Sequence, residues 1–282
     1  MNLEDKYKLL DEISHVRARP GMFIGSIVNV EKEEWIFDGG FKKSTLNYNP
    51  GLLKIFCEIL DNSIDEHKRN PTRLTEIRVT IDKDSGKISI RDNGGIPVVK
   101  HKETGDYIPS MIFTNLRAGS NFNDDDDQAL IGTNGVGSTI TAILSTEFNI
   151  ATCDGVNKLE QSITDGLRTI GDPIIKKSKI NFTEISFIPD YEYFGEKSLT
   201  EGNFLKMAKR VYDCAGCNPK VTFIFNDKKI SFNSFKDYIK QYTQNYVYDE
   251  NDDWQIALAN SEEGFECISF VNSVETYDGG TH

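Results

Sequence analysis

Three stretches of this sequence carry side chains that could position a water, a metal ion and a phosphate chain. The first is Lys54–Arg69, where Lys54, Glu58, Asn62 and Asp65 share one narrow stripe if the segment is helical, at about 100° per residue. A glutamate is ionised near neutral pH, with a reference pKa of about 4.3, so Glu58 could take a proton from water. An amide oxygen one turn later, at Asn62, could ligate a metal, and Lys54 one turn earlier could hold the carboxylate charge. The same spacing also describes a solvated helix face with an i,i+4 ion pair, and the segment alone leaves both readings open.

The second stretch is Ile88-Ser-Ile-Arg-Asp92-Asn93-Gly94-Gly95-Ile96-Pro97, an alternating strand that runs into tandem glycines. Asp92 at the strand end could accept a hydrogen bond from an exocyclic amine such as that of adenine. The glycines would permit positive φ and a close backbone approach to a ligand. A plain Asn-Gly turn is the alternative. The third is Gly132-Thr133-Asn134-Gly135-Val136-Gly137-Ser138-Thr139 at the start of a helix. No lysine follows the glycines, so it is not a P-loop, and it is not a G-x-G-x-x-G after a strand. Freed amides at a helix N-terminus could still cradle a polyphosphate, although such entrances are often only tight turns. Just upstream, Gly119-Ser120-Asn121 offers donors ahead of the solvated run Asp124–Asp127 and leads towards the glycine segment as a lid would.

The elements that must carry these residues read as a mixture of helices and strands. Helices are predicted at 5–18 (closed by Arg19-Pro20-Gly21), from Asn49-Pro50-Gly51 to about Lys68, and at 108–116, 135–145, 200–215 and 233–243. Strands are expected at 76–81, 87–91, 147–153, 157–163 and 183–188, with a hairpin at 220–232. An acidic loop, Tyr248–Asp253, then precedes two last strands at 254–260 and 265–272. Residues 119–135 read as a loop. This order is α+β, with the site-building loops concentrated between 90 and 140.

Composition sets bounds on function. Over 282 residues, Lys+Arg 32 against Asp+Glu 44 gives a net charge of −12, which argues against a surface whose main task is gripping a nucleic-acid backbone. Hydrophobic residues at 38% are enough for a buried core. No apolar run approaches the ~18–20 residues of a membrane span, and the charged start is no signal peptide, so an intracellular chain with no membrane partner is expected. Cys57, Cys153 and Cys267 are scattered, and the C-x-x-C of Cys214 and Cys217 lacks further ligands nearby. A core role is expected for that pair.

In order and spacing, Glu58-x-x-x-Asn62, Asp92-x-Gly-Gly and Gly132-x-x-Gly-x-Gly resemble the GHKL ATPases: type II DNA topoisomerases, Hsp90 chaperones, MutL-type mismatch-repair proteins and sensor histidine kinases. Arg19-Pro-Gly-Met-Phe-Ile-Gly25-Ser26, the run from Pro50 to Asn62, Ser120-Asn-Phe-Asn-Asp and Ser269–His282 narrow the resemblance to the type IIA topoisomerase ATPase region. Lys-Ile-Phe before Glu58 and Asn134 in the glycine loop are more similar to eukaryotic and bacteriophage enzymes than to bacterial gyrase B. The resemblance implies a Bergerat-type two-layer α/β sandwich with a mixed sheet over 1–243, then the start of a transducer domain over 244–282. It implies ATP and Mg²⁺ as cofactors, Glu58 as the general base that aligns water, and Asn62 as both nucleotide contact and metal ligand. Asp92, supported by Thr183, would accept from the adenine amine, with Asp65, Gly95 and Ile96 in the same pocket. Gly132, Thr133, Asn134, Gly135, Val136 and Gly137 would wrap the triphosphate. Ser120 and Asn121 would reach the nucleotide from the lid, Arg69 a phosphate, and Tyr7 the nucleotide of the partner protomer.

The implied activity is that of an ATP-dependent homodimer gate whose closure drives one DNA duplex through another, in the nucleus or in a prokaryotic or phage-infected cytoplasm. With few basic residues near the motifs, Mg²⁺ and backbone amides would neutralise the triphosphate. Two departures stand out. Relatives usually have one more residue between the glycines after the aspartate. The transducer lysine that reaches the γ-phosphate and the DNA-cleaving tyrosine have no matching segment, so a fragment or split-gene product is expected, with DNA cleaved by an absent domain or subunit. A nucleotide-binding dimerisation module with little hydrolysis, or an Hsp90- or MutL-like ATPase, are the other readings.

Overall fold

The computed structural model describes residues 9–119, 130–132, 135–261 and 264–276. Helix α1 (Glu12–Ala18) begins where the Asp11 carboxylate accepts from the Ser14 amide, and a short 3₁₀ turn, Pro20–Met22, follows. Among the described residues the first helix therefore starts later than position 5, because the cap sits at Asp11. Strands β1 (Val30–Phe37) and β2 (Phe41–Tyr48) form an antiparallel ribbon that the sequence reading did not anticipate. Helix α2 (Pro50–Arg69) runs as expected: the Asn49 side chain accepts from the Leu52 amide at 3.1 Å, and Pro50 takes the first turn.

Strands β3 (Glu76–Ile81) and β4 (Ile88–Asp92) precede helices α3 (Ile108–Thr114) and α4 (Gly137–Ile143). The chain continues through β5 (Ser145–Asp154), β6 (Asn157–Thr164), β7 (Thr169–Ile170), β8 (Ile174–Lys177) and β9 (Asn181–Pro189). Helix α5 (Glu201–Cys217), strands β10 (Thr222–Phe225) and β11 (Lys228–Lys229), and helix α6 (Phe235–Ile239) come next. Two small hairpins close the described chain: β12 (Val247–Glu250) with β13 (Gln255–Leu258), and β14 (Phe270–Val271) with β15 (Val274–Glu275). The segment expected to be an acidic loop is thus half strand, since Tyr248, Asp249 and Glu250 pair with Ala257, Ile256 and Gln255.

The central sheet has the order β11-β10-β3-β4-β9-β5-β6-β7, with β8 also pairing β6. It is mixed because β10 and β3 run parallel while the other pairs are antiparallel. Alternation puts Ile77, Val79, Ile81, Ile88 and Ile90 on the buried face, against Leu52, Ile55, Phe56 and Ile59 of α2 and Met207 and Val211 of α5. On the opposite face Arg91 pairs with Glu184 at 2.7 Å across the β4–β9 ladder. This is a two-layer α/β arrangement, and it lays the long helix α2 over the sheet end where β4 turns into Asp92-Asn-Gly-Gly.

The C-x-x-C pair behaves as core, whereas Cys267 is exposed. All five are free, Cys214 is buried, and burial pushes the Cys217 thiol up to about 12. No helix among the described residues is long and apolar enough to cross a membrane.

Candidate nucleotide site

Helix α2 brings its polar stripe to one side of the sheet end. Lys54 Nζ and Glu58 Oε1 are 2.5 Å apart, so the i,i+4 ion pair exists, and both partners keep only partial exposure. It does not reduce Glu58 to a solvated charge. The Glu58 carboxyl lies against the first residue of α4: a Cβ on Gly137 would stand 1.6 Å from Glu58 Oε2 and 2.5 Å from its Cδ. One turn further along α2, Asn62 Nδ2 donates to Ser138 Oγ at 2.8 Å. Glycine at 137 is what lets α4 close onto α2 at this level.

Asp65 is almost fully buried and has a different task. Its carboxylate accepts from the amides of Ile131 (2.9 Å) and Gly132 (2.8 Å), which fastens the start of the glycine loop to α2. Charge-assisted bonds of this kind are about twice as strong as neutral ones. Gly135, with φ +60, then turns the chain into α4, whose N-cap position, Val136, provides no side-chain hydrogen bond.

The floor is a row of three residues across three strands. Asp92 on β4 faces Thr183 on β9, which faces Thr152 on β5. The Asp92 carboxyl is 7% exposed and accepts from Ser63 Oγ (2.8 Å) and the Gly94 amide (2.9 Å). Burial raises its pKa above the ordinary carboxylate range in spite of those bonds. Thr152 Oγ1 accepts from the Ile96 amide at 2.9 Å and donates to the Phe182 carbonyl at 3.0 Å. Its single proton is therefore committed, and Thr183 is the donor in the 3.0 Å contact between the two hydroxyls.

The shortened loop is accommodated by Gly95. Its φ is +89, and a Cβ there would lie 2.2 Å from the Cys153 carbonyl oxygen, so this glycine makes the close approach. Gly94 instead supplies an amide to Asp92. Arg73 Nη2 donates to the Gly95 carbonyl at 3.0 Å and pins the loop from outside. Arg69, in the last turn of α2, pairs with Glu66 at 2.9 Å, and Glu66 in turn borders Gly94.

Glu58, Asn62, Asp65, Asp92, Gly95, Ile96, Gly132, Gly135, Val136, Gly137 and Thr183 are thus placed around α2, the β4 end and the α4 entrance. Tyr7, Ser120, Asn121, Thr133 and Asn134 lie outside the described residues. Ser63, Arg73 and Thr152 were not anticipated. Ser63 adjoins Asn62 on α2, but nothing in its own neighbourhood marked it as the partner of a residue on β4.

The donor set suits a magnesium ion that takes most of its ligands elsewhere. Among the described residues no group of three or more His, Cys, Asp or Glu could hold a metal. Asn62 commits its Nδ2 to Ser138, and its Oδ1 lies 3.7 Å from a Cβ built on Gly132. One neutral oxygen beside Gly132 fits Mg²⁺, which keeps waters and substrate phosphates in its shell, better than an all-protein cage.

Residues 47–164 match the model of the histidine kinase-, DNA gyrase B- and HSP90-like ATPases. The ATPase region of Saccharomyces cerevisiae topoisomerase II superposes with a TM-score of 0.92 at 33% identity, covering 96% of this chain and 75% of that one. The chain belongs to the type II topoisomerase ATPase-region family. The ATPase and transducer domains of Balamuthia mandrillaris DNA topoisomerase II give a TM-score of 0.92 at 32% identity, over 98% of this chain and 74% of that one. DNA topoisomerase 2 top-2 of Caenorhabditis elegans is 36% identical over 300 residues, 100% of this chain and 20% of the relative. DNA topoisomerase 2-alpha of Cricetulus griseus is 35% identical, again over 20% of its length. The chain therefore spans about a fifth of the curated topoisomerases that it matches. The GHKL fold expected from the motifs is the fold of this topoisomerase family.

Proposed function

We propose that this chain binds ATP with Mg²⁺ and hydrolyses it, as the N-terminal gate of a longer type II DNA topoisomerase. The observation that carries the reading is Glu58 held against Gly137 while Asn62, one turn on, is tied to Ser138. This puts an ionisable carboxylate and an amide oxygen side by side at the mouth of a glycine loop.

In this reading Asp92 accepts from the adenine amine, and the Thr183–Thr152 pair fixes the floor around it. Ile96 and Gly95 form the pocket wall. Gly132, Thr133, Asn134, Gly135, Val136 and Gly137 surround the triphosphate, while Asp65 holds the loop in place from behind. Asn62 Oδ1 would hold Mg²⁺, which when bound neutralises charge on the phosphate oxygens. Glu58 orients a water for in-line attack on the γ-phosphorus and takes its proton. The new P–O bond forms as the bond to the β,γ-bridging oxygen breaks, and ADP leaves. Lys54, paired with it at 2.5 Å, keeps the Glu58 carboxylate directed. Ser120 and Asn121 would contact nucleotide from the lid, Arg69 would reach a phosphate, and Tyr7 would reach the nucleotide of the partner protomer.

We assign 1–243 to the ATPase domain and 244–282 to the beginning of the transducer, an assignment supported by the change from the central sheet to separate hairpins after α6. In the longer protein, ATP-dependent closure of a homodimer would power DNA strand passage, with cleavage and rejoining by another domain or subunit. The test is ATP turnover by wild type and Glu58→Ala, with ATP binding measured in parallel. Both should bind and only wild type should turn ATP over. If both bind and neither hydrolyses, even in a chain extended through the transducer, the nucleotide-binding module replaces the enzyme.

A further inference from the structure

The turns of α2 that carry Glu58 and Asn62 have a second side, and it is charged and buried. Asp61 stands one turn after Glu58 and next to Asn62. Its Oδ1 accepts from Arg210 Nη2 of α5 at 2.6 Å, and both side chains are only 9% exposed. The other arm of the same guanidinium, Nη1, donates to the Ser273 carbonyl in the tip of the β14–β15 hairpin. Arg210 thus bridges the helix of the candidate base and the last hairpin of the described chain.

That hairpin tip is a strained element held from several sides. Asn272 and Ser273 have φ of +52 and +71, a pair of left-handed residues that a two-residue turn demands and that serine adopts at a cost. Such conformations persist when their surroundings over-determine them. Here Arg210 holds the Ser273 carbonyl, and Asn218 Nδ2 donates to Ser273 Oγ at 2.9 Å. Lys68 of α2 reaches the Asn272 carbonyl at 3.4 Å. On the next strand Glu275 meets Lys209 at 3.3 Å, and Lys209 pairs with Asp213 at 2.7 Å.

Beside this bridge lies an open cavity of about 530 Å³ bordered by α2, α5, β1 and the hairpin, with Asp61, Arg210 and Glu275 in its lining next to apolar Tyr48, Leu53 and Val274. Directional polar links through Arg210 and Lys68 therefore join the helix and the hairpin beside this cavity. A planar guanidinium with two committed arms fixes the placement of both partners relative to one another.

We propose that Asp61 and Arg210 are positioning residues that couple the nucleotide site to the β14–β15 hairpin. Seating of the hairpin on Arg210 sets the turn of α2 that bears Glu58 and Asn62, and nucleotide at that turn in return secures the hairpin, as linkage requires. The inference rests on the ATP reading of the site.

Hydrogen–deuterium exchange of residues 268–276 tests it, on this chain with and without a non-hydrolysable ATP analogue and Mg²⁺, alongside calorimetric binding of the analogue. In wild type the analogue should slow exchange of this segment by about fivefold or more. Asp61→Asn and Arg210→Lys should bind the analogue within about threefold of wild type yet lose the slowing. Arg210→Lys keeps the buried positive charge but has one nitrogen where the bridge needs two arms, so it separates bridging from simple charge neutralisation. A merely structural pair would shift exchange equally with and without the analogue and leave the difference intact. Retained slowing in both variants, or wild type that binds the analogue with no change at 268–276, overturns the coupling alone. Wild type that does not bind the analogue overturns the ATP reading and this inference with it.

Discussion

Gly137 and Glu58 occupy one another's space to the limit: the α4 backbone comes so near the carboxylate that a methyl group at 137 would overlap Oε2, at 1.6 Å. The atoms in the way are the end of a flexible side chain, so Gly137→Ala need not unfold the protein. It would rotate Glu58 away instead. Misplacing a reacting group by about 1 Å can cost 10²-fold in rate. Turnover should fall by about that factor while the thermal midpoint moves little, as stopped-time ATPase assays and calorimetry would show.

Glu58→Gln should retain nucleotide affinity and lose about 10²–10⁴-fold in turnover, the usual worth of a positioned base. The partner gives a second readout. Burial pulls the Lys54 ammonium down, but the Glu58 carboxylate outweighs it and holds the pKa above the usual lysine range. That raised value contributes stability below the unfolded pKa, which is lost as pH rises through the folded one. In Glu58→Gln the Lys54 pKa should fall, and NMR titration of its side chain would record the drop.

Asp92→Asn should separate binding from stability. Because burial raises the Asp92 pKa, its ionised form costs the fold stability, and the cost disappears as pH falls through the raised value. Asparagine removes that cost: its oxygen still accepts from the Gly94 amide, and its Nδ2, standing where Oδ2 was, can donate to Ser63 Oγ. The expected result is an unchanged or higher thermal midpoint with ATP affinity reduced by about tenfold or more, or ~1.4 kcal/mol. Unchanged affinity by calorimetry would take Asp92 out of the adenine pocket.

Asp65→Ala should damage both properties. It strands the Ile131 and Gly132 amides, at a cost of about 1–3 kcal/mol if they stay buried. The thermal midpoint should drop by several degrees and nucleotide affinity should fall. Asp65→Asn should recover part of both, since its amide oxygen can still accept. Differential scanning calorimetry with and without nucleotide checks this.

The site was legible in sequence wherever its chemistry was local. The α2 stripe follows from helical periodicity, and Asn49-Pro50 marks its start. The β4 end and the α4 entrance are marked by glycines, and the structure gives Gly95 and Gly137 their reasons. What could not be read depends on pairing between distant strands. Thr152 matters because β5 lies beside β9 in one particular register, and Arg73 because its loop folds back over Gly95. The β1–β2 ribbon escaped notice for another reason. Glu31, Lys32, Glu33 and Glu34 interrupt any apolar alternation, and the Asp38-Gly39-Gly40 turn was the only strong signal there. Similarly, acidic side chains masked strand β12, whose ladder rather than its composition makes it a strand.

The row Asp92–Thr183–Thr152 has an effect on how the sheet is assembled. Each member belongs to a different strand, so a slip of one residue in β9 would turn Thr183 to the opposite face and break the row at its centre. A base that fits this row would select correctly registered sheets from misregistered ones, and would shift the folding equilibrium towards them by mass action. The nucleotide would then act as a proofreader of strand pairing as well as a fuel.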